Sequence, residues 1–231
     1  MKTFRIGGAR VGCSDKADGN MKVFGGRDKV EVERNRRKFL SEMNLGVEST
    51  YFVRVDYGGE GFCKFARAGD GNGLRLDRDA AGCDGLLTSE RGEGLFLPLA
   101  DCVGMVLWDA GNETLMVVHC GRQTVLQDGA KKAVRYMAEV AGTKVGDLVA
   151  WLSPSAGGEN YPLRDLDGVS LQEAVVEQLM RAGAERDNIL ASDVDTTLDE
   201  NYFSHSQGDR RKRFAIVGVT YTDTTHIRHF Y

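Results

Sequence analysis

The most regular feature of the chain is a series of short apolar runs separated by turn residues. Three of them follow each other closely at residues 94–100, 102–109 and 114–119, and the letters DAGNE before the third run are typical of a tight turn. Runs of this length without regular polar positions predict strands that are buried on both faces. Further strands are predicted at residues 49–58, 147–155 and 213–221.

Helical stretches lie between these strands. Residues 28–43 and 170–183 predict helices, and the second of these begins with Ser170 and Glu173 at the spacing of a capping box. Residues 124–141 place their apolar side chains on one helical face, which predicts a third helix. Strands that alternate with helices predict an α/β fold of the layered α+β kind, in which helices flank a mixed β-sheet.

The composition is typical of a soluble globular protein, because 42% of the 231 residues are hydrophobic and 28% are charged. The net charge of −4 argues against nucleic acid as a partner, since such proteins carry a basic excess. No apolar run approaches the ~20 residues that cross a bilayer, and the first residues lack the apolar core of a signal peptide. With three prolines and no Ser/Pro-rich linker, we expect one cytoplasmic domain, residues 1–231.

Two residues with metal-binding or nucleophilic side chains, Cys102 and His119, lie at the ends of neighbouring apolar runs. His119 also precedes a predicted helix, whose N-terminus favours an anion or a thiolate nearby. Thiolate and imidazole are good zinc ligands, although a protein zinc site needs three or four ligands. The same two groups could act as nucleophile and base. The residues alone leave a metal site, a Cys–His dyad and simple packing open.

Several segments together share the pattern of one known family. They are LPLADCVGMVLWD, LMVVHCGRQ, CDGLLTSERG, LSPSAGGENYPL and DENYFSHSQGDRRKRFAIVGV. In combination they resemble the laccase-domain family, also called multicopper polyphenol-oxidase-like proteins, over most of the chain. Bacterial members are associated with purine nucleoside phosphorylase and adenosine deaminase activity. The resemblance therefore implies that a purine nucleoside and phosphate are the small-molecule partners.

The family also implies a single zinc ion held by one cysteine and two histidines. Cys102 and His119 match two of these ligands, whereas the third histidine position is occupied by Tyr57 in VRVDYGGEG. Zinc is the expected cofactor of this degenerate site, with a single copper ion as the alternative and Cys63 as a candidate replacement ligand. Four histidines in the whole chain cannot supply a multicopper cluster.

Substrate-binding residues are implied at four further positions, and Tyr57 is expected to line the same pocket. The segment GNMKVFGGRDKVEVERNRRKF matches the family at Asn20 and Arg36, and the C-terminal segment matches it at Arg213. Where the family has Ala-Gly-Trp-Arg-Gly, this chain has Cys-Gly-Arg-Gln-Thr, so Arg122 stands one position from the family arginine. Arginine binds phosphate through bidentate hydrogen bonds.

The predicted function is phosphorolysis of adenosine or inosine, with adenosine deamination at the zinc site as a second activity. One alternative is a metal-free hydrolase or deamidase, in which Cys102 is the nucleophile and His119 the base, because the family fold resembles that of cysteine-dependent deamidase toxins. The other alternative is a catalytically inactive nucleoside-binding homologue, since a metal ligand and the Trp-Arg pair are missing.

Overall fold

The computed structural model describes residues 1–22, 28–57, 61–69 and 82–221. They form two mixed β-sheets with helices packed against them, which confirms the predicted α/β class. The strands are divided between two sheets, whereas the sequence suggested one mixed sheet.

The first sheet has five strands. They are β1 (Lys2–Ile6), β2 (Ala9–Cys13), β3 (Thr50–Phe52), β6 (Gly94–Leu99) and β11 (Phe214–Thr220). The order across the sheet is β1-β2-β11-β6-β3, so the last described strand lies in the middle, antiparallel to both of its neighbours. Strand β3 is shorter than the predicted strand at 49–58.

The second sheet has six strands. They are β4 (Phe65–Arg67), β5 (Gly85–Thr88), β7 (Val103–Asp109), β8 (Thr114–Cys120), β9 (Leu148–Leu152) and β10 (Ile189–Ala191). Their order is β10-β9-β7-β8-β5-β4. Strands β7 and β8 form the predicted antiparallel hairpin, and all fourteen of their residues are buried.

Four α-helices complete the described fold: α1 (Lys29–Glu42), α2 (Arg122–Leu126), α3 (Gly129–Ala141) and α4 (Leu171–Arg181). The predicted first helix and the capping box of Ser170 and Glu173 are confirmed. The single helix predicted at 124–141 is wrong, because Asp128 adopts a left-handed backbone (φ 58°) that ends α2 before α3 begins. The apolar spacing continues across this break, so it did not reveal the interruption.

Apolar side chains alternate along the strands between two packing layers. In β7 and β8, Val106 and Val117 face a core shared with the first sheet, whereas Met105 and Val118 face the helices α2, α3 and α4. Helix α1 covers the other face of the first sheet. The result is a four-layer arrangement in which both sheets are covered on both faces. No helix in the described ranges is long and apolar enough to span a membrane.

The chain passes from the first sheet to the second through a short turn, residues 100–102, between β6 and β7. Asp101 in this turn has a left-handed backbone, with φ of 73°. The turn brings Cys102 to the beginning of β7, next to the end of β8 that carries His119. The turn between the two sheets therefore places Cys102 beside His119.

Candidate functional site at the crossing between the sheets

Cys102 and His119 lie together at the edge of the core between the sheets. His119 pairs with Gly104 across the β7–β8 ladder, and Cys120 pairs with Val103, so the chain after β8 runs beside Cys102. A methyl group placed on Gly121 would lie 3.1 Å from His119 Nε2 and 3.2 Å from Cys102 Sγ. The sulfur and the ring nitrogen therefore flank a common point. The predicted proximity is present, and the roles of the two residues stay predictions.

Tyr57 joins this pair, as expected from its position in the sequence. Its hydroxyl lies 3.4 Å from His119 Nε2, and the two rings meet edge to face with centroids 5.9 Å apart. The tyrosine side chain is 70% exposed, whereas His119 is 3% exposed. Tyr57 therefore forms a solvent-facing wall above a buried imidazole.

Burial controls the protonation of the site. It lowers the pKa of His119 to about 4, with a further contribution from the positive charge of Arg213. Burial raises the pKa of Cys102 to about 12, and the neighbouring Asp101 carboxylate acts in the same direction. At neutral pH the imidazole is uncharged and the thiol keeps its proton. An activated catalytic cysteine has the opposite property, a lowered thiol pKa.

Arg213 supplies the positive charge of the site. Its guanidinium group donates a 2.7 Å hydrogen bond to the carbonyl of Lys212, and no carboxylate in the described part of the chain forms an ion pair with it. Asn20 holds the backbone of Arg213, since Asn20 Oδ1 accepts a 3.0 Å hydrogen bond from the Arg213 N–H. Asn35 of α1 in turn donates to the Asn20 carbonyl.

The other two arginines are placed differently. Arg36 is buried in α1, where its Nε donates to the carbonyl of Val32 and its Nη1 has no hydrogen-bond partner. None of its described contacts is with Cys102 or His119. Arg122 lies at the first turn of α2 and forms a surface ion pair with Asp165, which occupies part of its hydrogen-bonding capacity.

The ligand set for zinc is incomplete in the residues that the structure describes. No group of three His, Cys, Asp or Glu side chains there is close enough to share a metal ion. Cys63 does not join the pair, because its thiol faces the carbonyls of Thr124 and Gln127 at 3.7 and 3.9 Å. Cys102 and His119 are two donors, and a protein zinc site needs at least three.

Three acidic or phenolic residues near the site were missed in the sequence. They are Asp84, Asp101 and Tyr161. The carbonyl of Asp84 accepts a 2.7 Å hydrogen bond from the His119 N–H, so it anchors that end of β8. Burial raises the pKa of Tyr161, and Cys102 acts in the same direction, which places this phenol within electrostatic range of the thiol group. Of the three, only Asp101 could have been recognised in the sequence, because it directly precedes Cys102 in the ADC motif.

A cavity of about 400 Å³ lies elsewhere, between β1 and β10 at the edge of the two sheets. Phe4, Trp151 and Tyr202 contribute its aromatic walls. None of the predicted site residues lines it, so it is separate from the site around Cys102.

Relatives of known structure share this fold. YlmD from Geobacillus stearothermophilus matches with a TM-score of 0.81 at 22% identity, covering 94% of this chain and 93% of that one. The Bacillus licheniformis hypothetical protein YfiH matches with a TM-score of 0.79 at 19% identity, covering 93% of both chains.

Related sequences carry a more specific name. A purine nucleoside phosphorylase of Corynebacterium glutamicum is 24% identical, and the match covers 88% of this chain and 86% of that protein. A purine nucleoside phosphorylase of Xylella fastidiosa is 26% identical, with 94% and 90% coverage. The family model for multi-copper polyphenol oxidoreductase laccase matches residues 1–166. The chain therefore belongs to this laccase-like family.

Proposed function

We propose that the protein is a purine nucleoside phosphorylase whose active site contains Cys102, His119, Tyr57 and Arg213. The observation that carries the proposal is the positive charge of Arg213, which has no carboxylate partner in the described ranges and lies within electrostatic range of Cys102 and His119. Such a charge is suited to binding phosphate. The names of the relatives support the same reaction. All five cysteines are free thiols, which is in keeping with a cytoplasmic location.

Phosphorolysis forms one bond and breaks another. A phosphate oxygen bonds to the anomeric carbon of the ribose, the glycosidic bond breaks, and its electron pair leaves with the purine, which takes up a proton. Arg213 would neutralise and orient the phosphate. The Cys102 thiol and the Tyr57 hydroxyl are the groups that can donate a proton to the leaving purine. The neutral His119 ring can form a hydrogen bond with the Tyr57 hydroxyl, as donor or acceptor according to its tautomer.

The proposed reaction includes no zinc ion, and zinc binding is tested separately. The resemblance implies zinc, and deamination of adenosine would require a metal-activated water. Because the described residues supply two ligands, Cys102 and His119, where three are needed, no step of the proposed reaction is routed through a metal.

The alternative of a Cys–His hydrolase has less support from the site. A thiol with a pKa of about 12 beside an imidazole with a pKa of about 4 does not form the thiolate–imidazolium pair of such enzymes. An inactive nucleoside-binding protein is the remaining alternative. It would bind adenosine without releasing adenine.

The test is adenine release from adenosine, with and without inorganic phosphate, by wild type and Arg213→Gln. We expect release to require phosphate, and Arg213→Gln to raise the KM for phosphate roughly 10- to 100-fold, since hydrogen bonds to a charged group contribute about 1.5–3 kcal/mol. Arg135→Gln is the matched control, because Arg135 is an exposed arginine on α3 paired with Glu139. Adenine release that does not require phosphate, or equal KM values for phosphate in Arg213→Gln and Arg135→Gln, would argue against the proposal.

A second prediction concerns the space between the two central side chains. In Gly121→Ala the new methyl group would lie 2.6 Å from His119 Cε1, so the ring must move although the backbone (φ −88°) suits alanine. We expect a loss of activity of about a hundredfold, as for a displacement of ~1 Å, together with a lower Tm, because overpacking a buried site costs about 1–3 kcal/mol. Gly146→Ala is the control, since its methyl group would have no heavy atom within 4 Å. Unchanged kinetics of Gly121→Ala would place the chemistry elsewhere.

A further inference from the structure

Asp101 is a buried residue whose carboxylate and backbone carbonyl together bind three separate segments of the chain. The residue is 4% exposed and lies in the turn where the chain crosses from the first sheet to the second. None of the ion pairs among the described residues includes it. A buried anion is costly unless hydrogen bonds satisfy it, so its bonds must account for its presence there.

Both carboxylate oxygens are used, each by a different segment. Oδ1 accepts a 3.0 Å hydrogen bond from the hydroxyl of Thr196, and Oδ2 accepts a 2.7 Å hydrogen bond from the Ser206 N–H. These partners are 95 and 105 residues away in the sequence. The carbonyl of Asp101 accepts a third bond, 2.8 Å long, from the Ala156 N–H.

The three segments also connect Asp101 to residues of the site. The loop that begins at Ala156 continues to Tyr161, which lies within electrostatic range of Cys102. The segment at Thr196 is paired with the same loop through a parallel bridge between Ser155 and Asp195. The segment at Ser206 leads to Arg213 and β11. The Asp101 side chain thus fixes the thiol-bearing turn relative to the segments at Thr196 and Ser206, and its carbonyl fixes the turn relative to the loop that leads to Tyr161.

We propose that Asp101 is a positioning residue for the site, which holds Cys102 and the flanking loops in the geometry that the reaction requires. Its kinetic test rests on the proposed phosphorolysis. The argument is geometric: the left-handed backbone of Asp101 and its three bonds leave the following residue, Cys102, little freedom at the start of β7. When such supporting bonds are removed, the reaction slows, because even a small displacement of the reacting groups lowers the rate.

Three variants separate the bonds from the charge. Asp101→Ala removes both side-chain bonds and the charge. Asp101→Asn removes only the charge, since its amide oxygen can accept from Ser206 while its NH₂ donates to the Thr196 hydroxyl, and asparagine tolerates the left-handed backbone. Thr196→Val keeps the charge and the side-chain shape but removes one bond. Thr50→Val is the matched control, because Thr50 is also a buried threonine whose hydroxyl donates a hydrogen bond, here to Gly46 at the opposite end of β6.

The kinetic readout is kcat and KM for phosphorolysis. We expect kcat to fall roughly tenfold in Thr196→Val and about a hundredfold in Asp101→Ala, with the KM for phosphate nearly unchanged. Asp101→Asn should keep kcat within about threefold of wild type, and Thr50→Val should not change kcat. Should Asp101→Ala fail to fold, the comparison of the two valine variants still decides the question.

A second readout does not depend on the proposed reaction. The native protein is treated with iodoacetamide at fixed pH, and alkylation of Cys102 is followed by mass spectrometry with Cys63 as the internal reference. Thr196→Val should label Cys102 several times faster than wild type, because the turn is loosened while the charge of Asp101 is kept. If Thr196→Val matches Thr50→Val in labelling, and in kcat where the wild type is active, Asp101 is a structural residue only. Faster labelling in a protein without phosphorolysis would support the positioning role and reject the proposed reaction.

Discussion

Replacement of Cys102 by alanine is expected to abolish most of the phosphate-dependent release of adenine from adenosine. The thiol is a proton-bearing group that faces the same point as His119 Nε2, so its removal takes away a donor and leaves a void beside the imidazole. A positioned general acid contributes on the order of 10²- to 10⁴-fold when its pKa lies near the working pH, so the raised pKa of Cys102 places the expected loss at the low end, about 100-fold. His119→Ala should cause a loss of similar size, because it removes the partner of Tyr57.

The control for this experiment is Cys120→Ala. Cys120 is a buried cysteine on the same strand as His119, but its side chain packs on the opposite face of the sheet, in the core beneath the helices. Cys120→Ala should lower the stability, because it creates a small cavity in the core, but should leave the rate of adenine release nearly unchanged. Equal rates for wild type and Cys102→Ala would assign the observed activity to a contaminant and favour the nucleoside-binding alternative.

Tyr57→His is expected to create a third zinc ligand and to raise zinc affinity by on the order of a hundredfold or more. The estimate follows from the 10- to 100-fold losses caused by disturbing even the outer shell of metal sites. The phenol already lies 3.4 Å from His119 Nε2, so an imidazole at this position can be directed to the point between Cys102 and His119. The measurement is a zinc titration of protein purified without a metal-affinity tag, followed by elemental analysis.

Tyr57→Phe is the matched control, because it removes the hydroxyl without adding a ligand. Adding Cys102→Ala to Tyr57→His should cancel the gain in affinity. If Tyr57→His binds zinc no better than wild type and Cys102→Ala also has no effect, the assignment of the metal position to this site is wrong. If the wild type already binds one zinc per chain tightly, the absence of a histidine at position 57 does not limit zinc binding.

Part of this site was predictable from the sequence because it depends on local features. The ends of two buried strands joined by a tight turn predict that Cys102 and His119 are neighbours, and the apolar runs in β7 and β8 made this hairpin recognisable. Tyr57 was placed by resemblance alone. Its contact with His119 joins residues 62 positions apart, which no spacing rule predicts.

The remaining features depend on tertiary structure. The division of the strands between two sheets is decided by side chains that alternate between two cores, and an unbroken apolar run does not show which face belongs to which core. The hydrogen bonds of Asp101 join positions about a hundred residues apart. The ion pair of Arg122 with Asp165 is likewise a long-range contact, which occupies part of the hydrogen-bonding capacity of this arginine.

The order of strands in the first sheet has a consequence for how the protein is made. Strand β11 lies between β2 and β6, so the earliest strands of the chain have no partner on that side until residues 214–220 have left the ribosome. Pairing over such sequence distances slows folding, since a long loop must close before the contacts form. Until then, the β2 edge of the β1–β2 hairpin has no pairing strand. Arg213 directly precedes β11, so the positive charge of the site comes from the same late part of the chain that closes this sheet.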